Sequence, residues 1–213
     1  MAARRGVEGA RETGAAVPVA PSAAAEGERD ERASRRSPEA DEALASRAYE
    51  DSALPLGFSQ TISQPFIVAR MIEILIAGGR ELGKTLEVGA GSGYQAAVLA
   101  QLTKEVYAVE RIEPLLARAK INLRNIQEFR VRLKYADGQL GLPEAAPFDT
   151  IIVAAAASAV PQGLLQQLAL GGRMLLPLGT GEQNLLLFER RAEGLVESRL
   201  DSVRFVPLLS GLE

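Results

Sequence analysis

The chain has 213 residues, carries 24 Lys+Arg against 27 Asp+Glu for a net charge of −3, and contains no Cys, His or Trp. The length suits one domain, and the charge argues against a protein that holds nucleic acid by bulk electrostatics, leaving room only for a small local basic patch. The missing Cys and His exclude a disulfide scaffold, a thiolate or imidazole zinc site, a thiol nucleophile and any triad that needs imidazole.

The first 40 residues hold no Leu, Ile, Phe, Tyr or Trp. Such a segment buries too little apolar surface to offset its ordering entropy, so a disordered tail is expected at 1–40. It has no apolar stretch of the secretory kind, and Glu8, Glu12, Glu26, Glu28, Asp30 and Glu31 argue against a transit peptide. Residues 41–48 suit a short helix whose only large apolar residue is Leu44. No run of about 18 apolar residues exists, so no membrane span is expected. From about residue 49 the composition becomes that of a packed domain.

The spacing of Ile67, Met71, Ile74 and Leu75 predicts an amphipathic helix over 63–78, with Ser63 as N-cap and Gly78-Gly79 closing it. A strand at 84–88 leads into a glycine cluster. Then come a helix at 94–102, a strand at 106–109, a helix at 114–127 and a strand at 131–135. The run Ile151-Ile152-Val153 marks a strand at 149–154 covered on both faces. A helix is expected at 161–170, closed by Gly171-Gly172, followed by strands at 174–177, 185–188 and 203–206. The last two, on short connections, point to an antiparallel edge. Alternating strand and helix predicts an α/β fold with a doubly wound, mostly parallel sheet.

Residues 86–95 read Leu-Glu-Val-Gly-Ala-Gly-Ser-Gly-Tyr-Gln. Gly89, Gly91 and Gly93 let the backbone turn sharply at the ligand crevice of an open sheet. A dinucleotide fingerprint would place Gly at 94, which is Tyr94, so a pyrophosphate ligand is disfavoured. Glu87 ahead of the loop suits a cationic ligand. Glu110, at the end of the next strand, is placed to accept from both hydroxyls of a ribose. Together they indicate a nucleoside bearing positive charge, with no metal.

This glycine loop resembles motif I of the class I, S-adenosylmethionine-dependent methyltransferases, whose fold is Rossmann-like. A more specific resemblance runs from Ala48 onward. It is carried by Ala48-Tyr-Glu-Asp51, Gln60-Thr-Ile-Ser-Gln-Pro65, Leu86 to Gln95, Asp137-Gly138, Pro147-Phe-Asp-Thr-Ile-Ile-Val153 with the Ala run after it, Gly171-Gly-Arg-Met-Leu-Leu-Pro-Leu-Gly179 and Val203-Arg-Phe-Val-Pro-Leu208. In this order these segments look like the protein-L-isoaspartate O-methyltransferase family. The resemblance implies a methyltransferase domain at 41–213 that moves a methyl group from S-adenosyl-L-methionine to the carboxylate of L-isoaspartyl residues. It implies a cytoplasmic monomer acting on damaged peptides and proteins, with no nucleic-acid or membrane partner.

By the same resemblance, Gln60, Thr61, Ile62 and Ser63 lie over the cofactor, and Ser63 is the catalytic serine that positions the acceptor carboxylate. Glu87, Gly89 and Ser92 line the methionine portion, Gly91 and Gly93 belong to the same cofactor-binding turn, Glu110 takes the ribose, and Asp137 and Gly138 take the adenine edge. On the residues alone, Asp137 is equally a turn residue, because Asp-Gly is a strong turn signal. The fold does not fix the acceptor, so another acceptor, or cofactor binding without turnover, stays open on the residues alone. The chain departs from the family pattern where Gly57-Phe58-Ser59 replaces a more glycine-rich approach. It also has Ala154 where many relatives have Thr.

Overall fold

A computed structural model describes Arg47 and residues 50–213. The expected tail and most of the expected 41–48 helix lie outside the described residues. The elements are β1 (Leu54–Gly57), β2 (Gln60–Ile62), α1 (Pro65–Ile76), β3 (Thr85–Val88), α2 (Tyr94–Leu102), β4 (Val106–Glu110) and α3 (Glu113–Asn125). There follow β5 (Val131–Tyr135), a 3-10 turn (Pro143–Ala145), β6 (Phe148–Val153), α4 (Gln162–Gln166), β7 (Leu168–Leu178), β8 (Gln183–Arg191) and β9 (Gly194–Val203).

Seven strands make one sheet in the order β5-β4-β3-β6-β7-β8-β9. Strands β3 to β7 run parallel to their neighbours, and β8 and β9 add antiparallel pairs at one edge. The sheet carries apolar packing on both faces. Val88, Ile151, Val153, Met174 and Leu176 pack with Leu164 and Leu165 of α4. Ile152 and Leu175 pack on the other face with Met71 and Leu75 of α1 and Leu99 of α2. This two-sided burial is why 151–153 is continuously apolar. From β3 the chain moves outward to β4 and β5, then returns to place β6 on the other side of β3. The strand order therefore reverses at the β3/β6 boundary, and a crevice opens beyond the carboxyl ends of these strands.

Three local expectations are corrected. Helix α1 begins at Pro65 with Gln64 as N-cap and no capping bond from its own side chain, so Ser63 is not the cap. Asp51 instead reaches across from 15 residues away and accepts from the Phe66 backbone N–H at 2.9 Å and from Gln64 Nε2 at 2.8 Å. A carboxylate on first-turn N–H groups satisfies orphan donors and complements the helix dipole.

The helix expected at 161–170 stops at Gln166, and Gly171-Gly172 lies inside β7. Leu168 pairs with Phe148 but Arg173 pairs with Thr150, so the glycines sit in a bulge. A Cβ at Gly172 would meet the Ala169 carbonyl at 2.8 Å, and Gly171 has φ +78°. The bulge, rather than a helix stop, requires both glycines. Strand β9 runs over 194–203 instead of 203–206. It is an edge strand with Glu197, Arg199 and Asp201 along it, so its polar composition hid it.

The β1–β2 hairpin escaped prediction because its strands are short and one contains Pro55. Its tip carries Phe58 and Ser59 at φ 52° and 56°. Left-handed backbone costs a non-glycine residue roughly 1–2 kcal/mol, which accounts for glycine-rich sequence being favoured there. Ser59→Gly is expected to stabilise the chain by about 0.5–1 kcal/mol, less than the strain relieved because glycine loses more entropy on folding. Thermal unfolding of the ligand-free variant checks it.

Candidate active site

Two adjoining cavities occupy the crevice and share Leu56, Thr61, Gly89, Gly91 and Ala154. The larger, of about 590 Å³, is lined by Glu110, Arg111, Ile112, Gly138 and residues 206–209. The smaller, of about 340 Å³, is lined by Ser63, Glu87, Ser92, Tyr94 and Gln95.

The glycine turn forms the floor. Gly89, Gly91 and Gly93 have φ of 91°, 53° and 84°, which an L side chain rarely adopts. Gly89 approaches the chain beyond β6, where a Cβ would stand 3.7 Å from that of Ala154. Gly93 lines neither cavity. It is the N-cap of α2, and a Cβ there would press on Leu123 at 3.3 Å and Ala119 at 3.4 Å of α3. The hairpin forms the roof. Leu56 and Ile62 pack against Ile112 and Leu115, and Arg118 donates to the Leu56 carbonyl at 2.8 Å. Gln60, Thr61, Ile62 and Ser63 all line the crevice beneath this hairpin or beside it.

Glu110 is buried and braces the turn. Its Oε2 accepts from the Gly91 N–H at 2.8 Å, and its Oε1 accepts from the Arg111 and Ile112 N–H groups at 2.8 and 3.0 Å. Each carboxylate oxygen can accept more than one bond, so Glu110 holds the loop while still facing the larger cavity.

Glu87 is fully buried, and neither of its carboxylate oxygens has a hydrogen-bond partner among the described residues. Nor has Gln95 Nε2. Burial pushes the Glu87 carboxyl well above the usual carboxylate range; the nearby Gln95 amide offsets part of this and Glu110 adds to it. The amide thus acts on the carboxylate as a nearby dipole, short of hydrogen-bond geometry. A buried carboxylate with no partner is costly and calls for explanation. Opening into a cavity beside an equally unpartnered amide, it provides for a ligand that is cationic and donates hydrogen bonds.

Asp137 lines neither cavity. Its Oδ1 accepts from the Gln139 N–H at 2.8 Å, closing the Asp-Gly turn, and its Oδ2 accepts from the Gly211 N–H at 2.6 Å. Gly138 does line the larger cavity, and a Cβ there would meet Val88 Cγ1 at 2.5 Å. Sequence reasoning missed Arg111, Gln95 and residues 206–209 as site residues. Gln95 sits one position past the tyrosine of the loop, and 203–208 was noticed only as a family segment. Among the described residues, no group of three or more His, Cys, Asp or Glu could hold a metal ion.

Comparisons agree with this geometry. The family model described as protein-L-isoaspartate(D-aspartate) O-methyltransferase matches residues 32–213. The chain is 72% identical over 173 residues to the protein-L-isoaspartate O-methyltransferase of Dechloromonas aromatica (strain RCB), covering 81% of this chain and 80% of that one. It is 64% identical over 173 residues, at the same coverage of each, to that of Azoarcus sp. (strain BH72).

Among solved structures, one protein-L-isoaspartate O-methyltransferase superposes with a TM-score of 0.70 at 30% identity, over 78% of this chain and 55% of that chain. A Plasmodium falciparum protein named for the same family and solved with S-adenosyl-L-homocysteine superposes with a TM-score of 0.66 at 24% identity, over 76% and 82% of the two chains, and shows the shared fold. A glycine turn at the strand-order reversal, two acids beside it and sequence agreement across the whole described domain have one common account: the chain belongs to the protein-L-isoaspartate(D-aspartate) O-methyltransferase family.

Proposed function

We infer that this chain is a protein-repair methyltransferase that uses S-adenosyl-L-methionine and esterifies the free carboxylate of L-isoaspartyl residues in peptides and proteins. The observation that carries the cofactor reading is the buried, unpartnered Glu87 carboxylate opening onto the glycine turn. The acceptor reading rests on family membership. When bound, S-adenosyl-L-methionine supplies a methyl group on a sulfonium, together with an ammonium and two ribose hydroxyls that need acceptors. Glu87 and Gln95 face the smaller cavity with unused polar atoms, which fits the methionine end. Glu110 lines the larger cavity with acceptor capacity left over, which fits the ribose. Gly138 and Ile112 supply the walls for the base.

The acceptor carboxylate, with an ordinary pKa near 4, is ionised at neutral pH. No residue has to remove a proton, so a site without His or Cys suffices. What remains is orientation and exclusion of water, because opposite charges are consumed in the transfer and a wet site would favour the reactants. Ser63 borders the smaller cavity, and Asp51 rather than Ser63 caps α1, so its hydroxyl is not spent on the helix. It serves as a donor that positions the acceptor carboxylate. Leu56, Ile62 and the hairpin above exclude solvent.

The test is methyl transfer from labelled S-adenosyl-L-methionine to a synthetic L-isoaspartyl peptide, with the aspartyl peptide as control. Base-labile ester on the isoaspartyl peptide alone is the expected outcome; ester on neither, in a chain that binds the cofactor, overturns the acceptor assignment. Ser63→Ala is expected to lower kcat by roughly 10- to 100-fold, the loss of one positioning hydrogen bond to a charged group. Cofactor affinity should stay near the parent value, and parent turnover in the variant would remove Ser63 from the site.

A further inference from the structure

Residues 206–213 cross the carboxyl ends of the strands as a strap. Its first half is the wall of the larger cavity, formed by Val206, Pro207, Leu208 and Leu209. That half is stitched to the chain after β6: the Ala156 N–H donates to the Val206 carbonyl and the Leu208 N–H donates to the Ala156 carbonyl, each at 2.8 Å.

The second half leaves the cavity and is held by groups at or just beyond the ends of β4 and β5. Asp137 Oδ2 accepts from the Gly211 N–H at 2.6 Å. Arg111 donates through Nε to the Gly211 carbonyl at 2.9 Å and pairs through Nη1 with the Glu213 carboxylate at 2.9 Å. The Glu213 N–H donates to the Arg111 carbonyl at 2.8 Å, and the Glu213 carbonyl accepts from the Glu113 N–H at 2.8 Å and from the Tyr135 hydroxyl at 3.0 Å.

Apolar burial contributes little to this half. Its one large apolar side chain, Leu212, is 54% exposed. A segment held by hydrogen bonds and one ion pair, with its apolar side chain half in water, opens at modest cost unless those bonds are kept. Every bond of the latch comes from a residue within three positions of the end of β4 or β5, and Arg111 among them also lines the larger cavity.

We propose that Asp137 and Arg111 are positioning residues for the cofactor, acting through the 206–213 strap: with Tyr135 they latch it down, and the latched strap closes the nucleoside end of the cavity. This rests on the reading of that cavity as the adenosine site. It also gives Asp137 a role different from direct contact with the base, since both its oxygens are engaged by backbone N–H groups and it lines neither cavity.

Tyr135 and Glu213 separate the two roles, because both lie outside the cavities and neither can touch a bound nucleoside from within the cavity lining. Calorimetric titration with S-adenosyl-L-homocysteine would compare the parent, Tyr135→Phe, Glu213→Ala, the two combined, and Asp137→Asn, all in the full chain. The combined Tyr135→Phe and Glu213→Ala variant is expected to weaken binding about tenfold, the scale of two lost hydrogen bonds. Its kcat at saturating S-adenosyl-L-methionine should be preserved while KM for the cofactor rises. Asp137→Asn is expected to cost less in the loosened background than in the parent, because both act through one element.

The readout does not depend on folding alone, since thermal unfolding of ligand-free Tyr135→Phe should stay close to the parent while its titration already shows a loss. Parent affinity in the combined variant, with Asp137→Asn still weakened, would assign Asp137 to direct contact and overturn the latch. A parent chain that fails to bind S-adenosyl-L-homocysteine would overturn the adenosine reading itself, and the strap's role with it.

Discussion

Glu110→Ala is expected to abolish measurable cofactor binding and to destabilise the ligand-free protein by about 3 kcal/mol. The carboxylate accepts from three backbone N–H groups, those of Gly91, Arg111 and Ile112, and hydrogen bonds to a charged acceptor contribute about 1.5–3 kcal/mol each without adding simply. Alanine leaves these donors without their acceptor at a position that is almost wholly buried. It also releases the glycine turn that floors both cavities, so loss of loop order and loss of the ribose acceptor reinforce each other. Glu110→Gln keeps one carbonyl oxygen but turns an amide donor toward N–H donors, and should show much of the same loss. Titration calorimetry with S-adenosyl-L-homocysteine and thermal unfolding in the absence of ligand measure the two effects separately. Affinity within twofold of the parent would show that Glu110 serves the fold and not the ligand.

Glu87→Gln has the opposite signature, weaker function with greater stability. Its carboxyl is held well above the usual range by burial and by Glu110, with Gln95 opposing. The sign follows from proton linkage. Between the unfolded value near 4.5 and the higher folded value, the native chain keeps a proton that the unfolded chain has released. Stability therefore falls as pH rises through that interval. The glutamine carries no such penalty, so the ligand-free variant should melt above the parent at pH 8 and approach it as pH falls toward 4. For a chain of this size each kcal/mol relieved is worth about 2–4 °C.

Cofactor affinity should move the other way, down roughly 10- to 100-fold, because the group that receives the cationic end has lost its charge. The exchange of stability for a ligand-ready charge is a familiar property of functional sites. Equal melting temperatures at pH 8 would mean that water or a side-chain rearrangement already satisfies Glu87.

How much of this was legible beforehand follows from which interactions are local. The helix over 114–127 was readable because Leu115, Leu116, Ala119 and Leu123 repeat at helical spacing on its buried face. Strand 149–154 was readable because a central parallel strand must be apolar on both sides. The glycine turn was readable because only glycine tolerates three left-handed positions in five residues. Glu87 and Glu110 could be named from sequence because each sits at a fixed offset from that turn.

The rest is long-range. That Asp51 and not Ser63 caps α1 depends on two residues 15 apart being brought together, and nothing local announces it. That Gly171-Gly172 forms a bulge rather than a helix stop depends on register with β6. Asp-Gly at 137–138 signals a turn, but its second oxygen meets the Gly211 N–H 74 residues away. By itself the sequence determined the doubly wound sheet, the glycine turn and the acids beside it, because those features are written in periodicity and in steric requirements of single residues. Only the tertiary structure decided which acid braces the loop, which stands unpartnered and which latches the strap. A carboxylate's role is set by the donors the fold brings to it, and those donors come from distant parts of the chain.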